Sequence, residues 1–340
     1  MRLNIYDASW LLHYGASSVK YKDYSYCGYP MGGIKYLCKH LVFDLFKENP
    51  FVVCFDSKTD KSSILPGYKG NRSHEAHIVS QSQFAYNMLM KCGISCMRQD
   101  GYEADDLAAS AVARFRRDYS EIVIVSNDHD LAHNVFQHVR VEATSAGGAD
   151  ISANNFVMAA NKSPVIFNTI SAFKVFTGDA SDGIPGFRSE GGKSGKKLYS
   201  DFVRYGEEVI PNKDTKPFNF SRRDFLEYFL ETLDYLTEKD REGLAQRIAV
   251  IFPRISKDVP APTEIDNVDI PQLQKLLSVL NDDVELQRLK LPKIRLSESE
   301  LNDFKASAAV LRNSTFAVDN DCPVHPTFLF EDEAVNLRVF

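Results

Sequence analysis

Residues Gly101–Ser110 read GYEADDLAAS. Glu103, Asp105 and Asp106 place three carboxylates within four positions, and the small and apolar residues after them predict a buried helix over Ala104–Phe115. One acid at a helix start is ordinary, because it caps free amides and faces the positive end of the helix dipole. Three this close repel one another, and each raises the others' pKa. A divalent cation removes the difficulty, since hard cations take carboxylate oxygens and two-metal sites need several of them.

The flanking sequence says where such a cluster would sit. Leu3–Tyr6 is a short apolar run ending at Asp7, Phe51–Phe55 (FVVCF) ends at Asp56, and Glu121–Val125 (EIVIV) runs into SNDHD, with Asp128 and Asp130. Helical spacing over Gly33–Phe46 (Ile34, Leu37, Leu41, Leu45) and over Ser73–Lys91 fills the intervals. Fully apolar strands alternating with helices predict an α/β fold with a central, mostly parallel sheet flanked by helices. Sites in such sheets form just outside the carboxyl ends of the strands, where Asp7, Asp56 and Asp128 fall. Acids scattered along the sequence therefore converge in space.

Beyond about Phe167 the strand signals fade. The pattern predicts a helix then a loop over NTISAFKVFTGDASDGIPGF, and a helix over Lys193–Tyr205. A capping box at Ser221 and Asp224 opens another through Leu233, and two more run near Arg241–Phe252 and Ile270–Leu280. Lys257–Thr263 reads as a connecting loop, and Asn313–Phe340 as an extended stretch with no assignment.

Of the 340 residues, 44% are hydrophobic and 25% charged, and no apolar run approaches a membrane span. The opening MRLNIYDASW reads as a strand rather than a signal peptide. Six cysteines without a CxxC pair point to a reduced, cytoplasmic setting. A net charge of −6 argues against a nucleic-acid partner until its distribution is considered. Setting aside nine acids (Asp7, Asp56, Glu103, Asp105, Asp106, Asp128, Asp130, Asp179 and Asp182) takes the formal charge from −6 to +3. Turn chemistry explains Asp128 with Asp130, or Asp179 with Asp182, taken singly, but not the whole set. His129, His133 and His138 have hard oxygen neighbours rather than Cys, which disfavours a zinc site.

Six motifs carry a resemblance. They are Asp7 after the first strand, FDSK at Phe55–Lys58, LPGYKGNR at Leu65–Arg72, GYEADD at Gly101–Asp106, SNDHDL at Ser126–Leu131 and TGDASDGIPG at Thr177–Gly186. In order and spacing the chain resembles the 5′-nucleases: flap endonucleases, phage 5′–3′ exonucleases and the 5′-nuclease domain of bacterial DNA polymerases. The motifs cover roughly the first 200 residues. The resemblance implies a PIN-like core over 1–165, including a helical arch segment at about 57–100. It implies a helical DNA-binding part over 166–312 with a helical-hairpin motif at about 183–205, leaving 313–340 as the extended tail.

It further implies a divalent-metal-dependent 5′–3′ exonuclease or structure-specific flap endonuclease that cuts DNA by two-metal hydrolysis and leaves 5′-phosphates. Asp7, Asp56, Glu103, Asp105 and Asp128 would hold one Mg²⁺, and Asp106, Asp130, Asp179 and Asp182 the second. Mn²⁺ would substitute, and a monovalent cation would sit at the hairpin motif. Lys69 and Arg72, at the base of the arch, resemble groups on the scissile phosphate, where cations offset growing charge. Tyr68 is a candidate for base stacking, or for packing. Lys174, Gly191, Gly192, Lys193, Lys196 and Lys197 resemble the duplex-binding hairpin. Tyr14, Tyr21, Tyr24, Tyr26 and Tyr29 form either a stacking surface for unpaired DNA or loop packing.

The implied partners are DNA with 5′ ends, flaps or nicks, and RNA–DNA primers, with replication proteins, no membrane and a monomeric chain. The implied setting is the cytoplasm of a bacterium or a phage-infected cell. Ala8 stands where the family has Gly, Tyr14 where it has Arg, and Lys58 and Lys61 are the nearest bases to an arch Arg that is missing. A PIN-type ribonuclease and a non-catalytic DNA clamp are the alternatives.

Overall fold

The computed structural model describes residues 1–316 apart from 27, 71–75, 136–137, 145–149, 153–156, 161–162, 167–169, 189–192 and 210–221. Elements in the first half run β1 (Arg2–Asp7), α1 (Ala8–Ser17), β2 (Ser25–Tyr26), β3 (Tyr29–Pro30), α2 (Gly32–Lys47), β4 (Phe51–Cys54), α3 (Lys61–Ile64), α4 (Ala76–Lys91), β5 (Cys96–Met97), α5 (Ala104–Phe115), β6 (Glu121–Val125) and β7 (Val139–Glu142). The second half adds β8 (Val157–Ala160), β9 (Ser163–Ile166), α6 (Ile170–Thr177), α7 (Lys193–Val209), α8 (Arg222–Glu231), α9 (Glu238–Ile251), α10 (Ile270–Val279), α11 (Asp283–Arg288) and α12 (Glu298–Phe316).

The central sheet has the order β5-β4-β1-β6-β7, and every pairing in it is parallel. Strands buried on both faces explain why the sequence shows continuous apolar runs rather than alternation. Alternate residues still choose faces. Leu3, Ile5, Val52, Cys54, Ile122 and Ile124 join the core shared with α5 and α6–α9. Tyr6, Phe51, Val53, Val123 and Val125 join the core shared with α1, α2, α4 and α10–α12.

The α/β class holds as read, and α5 and β6 fall where the sequence puts them. The helices after residue 165 cover both faces of the sheet, α6–α9 on one and α10–α12 on the other. Other outcomes correct the reading. The stretch from Asn313 begins as helix, because α12 runs to Phe316; its Phe304 enters the core beside Phe84 of α4, with ring centroids 6.4 Å apart. A β8–β9 hairpin precedes α6, just before the point where strand signals were read as fading. No helix among the described residues is long and apolar enough to cross a membrane.

Strand order reverses at β1: the chain builds outward through β4 to β5, then returns to place β6 on the other side of β1. The crevice beyond the carboxyl ends of β1 and β6 is the topological switch point, the favoured place for a site in an open α/β sheet.

Candidate metal and nucleic-acid site

Asp7 ends β1 and caps α1; its Oδ1 accepts from Trp10 N–H at 3.1 Å and its Oδ2 from Ser126 Oγ at 2.9 Å. Ser126 Oγ in turn accepts from Asp128 N–H at 3.0 Å, which ties the ends of β1 and β6 together. Across β4, Asp56 Oδ1 accepts from Ala104 N–H at 2.7 Å, so the first amide of α5 is aimed at the same edge. Asp7 and Asp56 both hold helix-start amides locally, as caps do. The fold then brings the caps to one place.

Two groups of carboxylates stand out. Glu103, Asp105 and Asp106 each offer an oxygen within 4.8 Å of the others, and so do Asp130, Asp179 and Asp182. Asp105, Asp130, Asp179 and Asp182 line one crevice with Tyr68 and Lys174. Asp105 of the first group therefore faces the crevice that the whole second group lines, while Glu103 lines a neighbouring cavity with Asp56.

The charge is crowded. Burial, then Asp56, pushes the Asp7 carboxyl up to about 7. Burial, then Asp130, raises Asp128 to about 6, although the residue still reaches solvent. Burial and Asp105 raise Asp106 to about 6. Glu103 goes the other way: burial alone would raise it, but Lys69 and Lys61 hold it down at about 2.

Lys61 was missed as a site residue. Its side chain is 1% exposed, with Nζ 2.6 Å from Glu103 Oε2 and 3.2 Å from Asp106 Oδ2. Sequence showed it only as one of the nearest bases to an absent arginine. The signal that could have found it is the excess of acid in GYEADD, which needs a buried cation even before any metal arrives.

Several expected residues stand elsewhere than expected. Asp106, assigned to the second metal, lies with Glu103 instead. It is fully buried, and its oxygens accept from the N–H groups of Glu103 at 3.0 Å and Arg254 at 2.8 Å. Tyr68 does not present a stacking face: it is 8% exposed, packs with Leu65, Ile184 and Val250, and donates its hydroxyl to Glu103 Oε2 at 2.9 Å. Lys174, expected on duplex DNA, pairs with Asp130 and lies 2.5 Å from Asp179 Oδ2.

Lys69 Nζ sits 2.6 Å from Glu103 Oε1, and Lys69 N–H donates to Asp182 O at 2.8 Å. That second bond docks the YKGNR segment onto TGDASDGIPG. Gly183 makes the docking possible: its φ is +69°, and a Cβ there would stand 2.4 Å from Gly67 O. Lys193 and Lys197 are exposed and Lys196 half-buried, all in the first two turns of α7. Arg72, Gly191 and Gly192 lie outside the described residues. His133 is buried against the carbonyl of Asp130, and His138 bonds the carbonyl of Arg116 at 2.9 Å, in line with structural histidines.

The chain folds as a parallel sheet with helices on both faces and acids along its carboxyl edge. Residues 5–161 match the family model described as the 5'-3' exonuclease, N-terminal resolvase-like domain, which bears out the resemblance read from the motifs. A 5'-3' exonuclease of Bacillus subtilis (strain 168) is 27% identical over 180 residues, covering 52% of this chain and 60% of that protein. DNA polymerase I of Caldicellulosiruptor bescii is 28% identical over 267 residues, covering 76% of this chain and 29% of the polymerase. The chain thus spans less than two thirds of the length of either relative. Among solved structures, T5 5'-exonuclease with bound zinc has the same fold, with a TM-score of 0.51, 16% identity, and coverage of 91% of this chain and all of that one.

Proposed function

We propose that this protein is a divalent-metal-dependent 5′–3′ exonuclease or flap endonuclease acting on DNA. The observation that carries the reading is the gathering of acids from separate motifs into two close groups, with Asp105 of the first facing the crevice that the second lines. The donor set fits hard divalent cations: every ligand offered is a carboxylate oxygen. Burial first, and then the neighbouring Asp56 and Asp130, raise the carboxyls of Asp7 and Asp128, a cost that a bound cation would relieve.

Glu103 and Asp105, with Asp7, Asp56 and Asp128 around them, would hold one ion; Asp130, Asp179 and Asp182 would hold the other. Mg²⁺ is the ion we assign, with Mn²⁺ as a substitute. Such ions lower the pKa of a water and steady the attacking and leaving oxygens of a phosphodiester. Asp106 keeps a scaffold part, because its oxygens hold backbone amides and Lys61. Lys69 stays protonated, its ammonium stabilised by Glu103 against the cost of burial. From the neighbouring cavity that it lines with Asp56 and Glu103, it offsets charge on the scissile phosphate, and Arg72 is assigned the same task. Lys193, Lys196 and Lys197 at the start of α7 meet duplex phosphates, where the helix N-terminus adds to their attraction. Residues 1–165 form the cutting part and 166–312 the duplex-holding part. Flaps, nicked strands and RNA–DNA primers are the substrates this arrangement suits.

The test is a 5′-labelled flap on duplex DNA, with Mg²⁺ or with EDTA, beside nicked and blunt duplexes. Metal-dependent release of the whole flap assigns flap endonuclease action, and short products from nicked or blunt ends assign exonuclease action. Cleavage of RNA alone would move the reading to a PIN-type ribonuclease. Tight DNA binding with no cleavage in Mg²⁺ or Mn²⁺ would leave only a clamp.

A further inference from the structure

We infer that Trp10 and Tyr14 form a stacking platform for an unpaired nucleobase of the DNA strand, beside the carboxylate edge. The inference rests on DNA being the substrate and adds a base-binding site to that reading. The two residues are four apart on α1, so their side chains share one face of the helix. Their rings stack, with centroids 5.0 Å apart and 15° between planes. Both are only partly buried, whereas Leu11 and Leu12 between them are fully buried in the core.

The pair is fastened to the site at both ends. Trp10 N–H donates to Asp7 Oδ1 at 3.1 Å. Tyr14 leans on Tyr36, with centroids 4.9 Å apart, and the Tyr36 hydroxyl donates to Thr144 O at 3.0 Å. Thr144 N–H donates to Asn127 Oδ1 at 2.7 Å, and Asn127 immediately precedes Asp128. The aromatic ladder is thereby linked to both Asp7 and the segment that carries Asp128.

Of the other tyrosines of this region, three are committed elsewhere. Tyr21 and Tyr29 are buried, and Tyr24 spends its hydroxyl on Val279 O at 2.7 Å. On a neighbouring face of α1, Ser9 and His13 line a cavity of about 450 Å³ with Asp56, Lys69 and Arg98. Helix α1 thus turns Ser9, Leu12 and His13 to that cavity, and Trp10 and Tyr14 stand outside its lining. A neutral aromatic pair beside a phosphate-handling edge has little to offer a phosphate. It has a π-face for a base, and such stacking tolerates any sequence.

Trp10 is the sole tryptophan of the chain, so its fluorescence reports the platform directly. The full chain is titrated, with Ca²⁺ in place of Mg²⁺, with a 5′-flap duplex, a blunt duplex, and flap duplexes carrying a single abasic residue at successive positions. The intact flap quenches Trp10, and one abasic position removes the quench and weakens binding between about fivefold and a hundredfold. Tyr14→Ala reproduces that loss and Tyr14→Phe, which keeps the ring, restores binding. In Mg²⁺, Tyr14→Ala raises KM and leaves kcat within about twofold. Flap binding with unmoved fluorescence and no abasic position worth more than about twofold overturns the platform and spares the nuclease reading. A folded chain that binds none of these DNAs overturns both.

Discussion

Asp7→Asn should make the metal-free protein more stable at pH 8, although it removes a group assigned to metal binding. The wild-type carboxyl is 6% exposed and carries its proton up to about pH 7, because burial and Asp56 oppose its charge. In the unfolded chain it titrates near its ordinary value of 3.8. The folded state therefore binds this proton more tightly, and ionisation opposes folding. The penalty is absent below about pH 4, grows between the two pKa values, and is complete above about pH 7. A gap of roughly three units corresponds to about 4 kcal/mol. Asparagine keeps the shape but replaces one of the two accepting oxygens, which meet Trp10 N–H and Ser126 Oγ, and that costs about 1 kcal/mol. The net gain is about 3 kcal/mol at pH 8, or an upward shift in Tm of roughly 4 °C. Thermal unfolding in EDTA at pH 8 and at pH 4 is the assay. The gain should vanish at pH 4, and Mn²⁺ should stabilise the wild type more than the variant. A variant that melts at or below wild type at pH 8 in EDTA would refute the reasoning.

Other outcomes follow from the same geometry. Lys61→Met leaves Glu103 and Asp106 without their buried cation, so denaturant melts should show a loss of about 3–5 kcal/mol; Arg114→Ala, which breaks an exposed i,i+4 pair, should cost under about 0.5 kcal/mol. Asp105→Asn and Asp106→Ala should separate function from scaffold. The first should weaken Mn²⁺ binding in calorimetry with little change in Tm, while the second should lower Tm because two backbone amides lose their acceptor. Gly183→Ala forces a Cβ into Gly67 O at a positive φ, so it should destabilise the docked YKGNR segment and lower cleavage in Mg²⁺, read as faster proteolysis near residues 65–70.

The parts of the fold legible in sequence were those whose signal is local. Phe51–Cys54 and Ile122–Val125 are apolar throughout because both faces of a parallel strand are covered. The Ala-rich run after Glu103 is a strong helix former wherever it is placed. The carboxylates were legible because their number exceeds what capping needs. What escaped was set by long-range packing. Lys61 looks like a surface base until α3 carries it under the start of α5, and Tyr68 looks like an arch residue until Ile184 and Val250 close over it. Asp106 reads as a ligand, yet its oxygens are claimed by amides 3 and 148 positions away. Helix α12 has a weakly amphipathic sequence, and only contact with α4 reveals its buried side.

The central claim is that the two carboxylate groups are two metal sites, and a calorimetric titration of the metal-free chain with Mn²⁺ measures that most directly. The account predicts two sites per chain, with one lost in a variant carrying Asp179→Asn and Asp182→Asn and the other lost in a variant carrying Glu103→Gln and Asp105→Asn. A folded wild-type chain that takes up no Mn²⁺, or two sites that survive both pairs of substitutions, would contradict it.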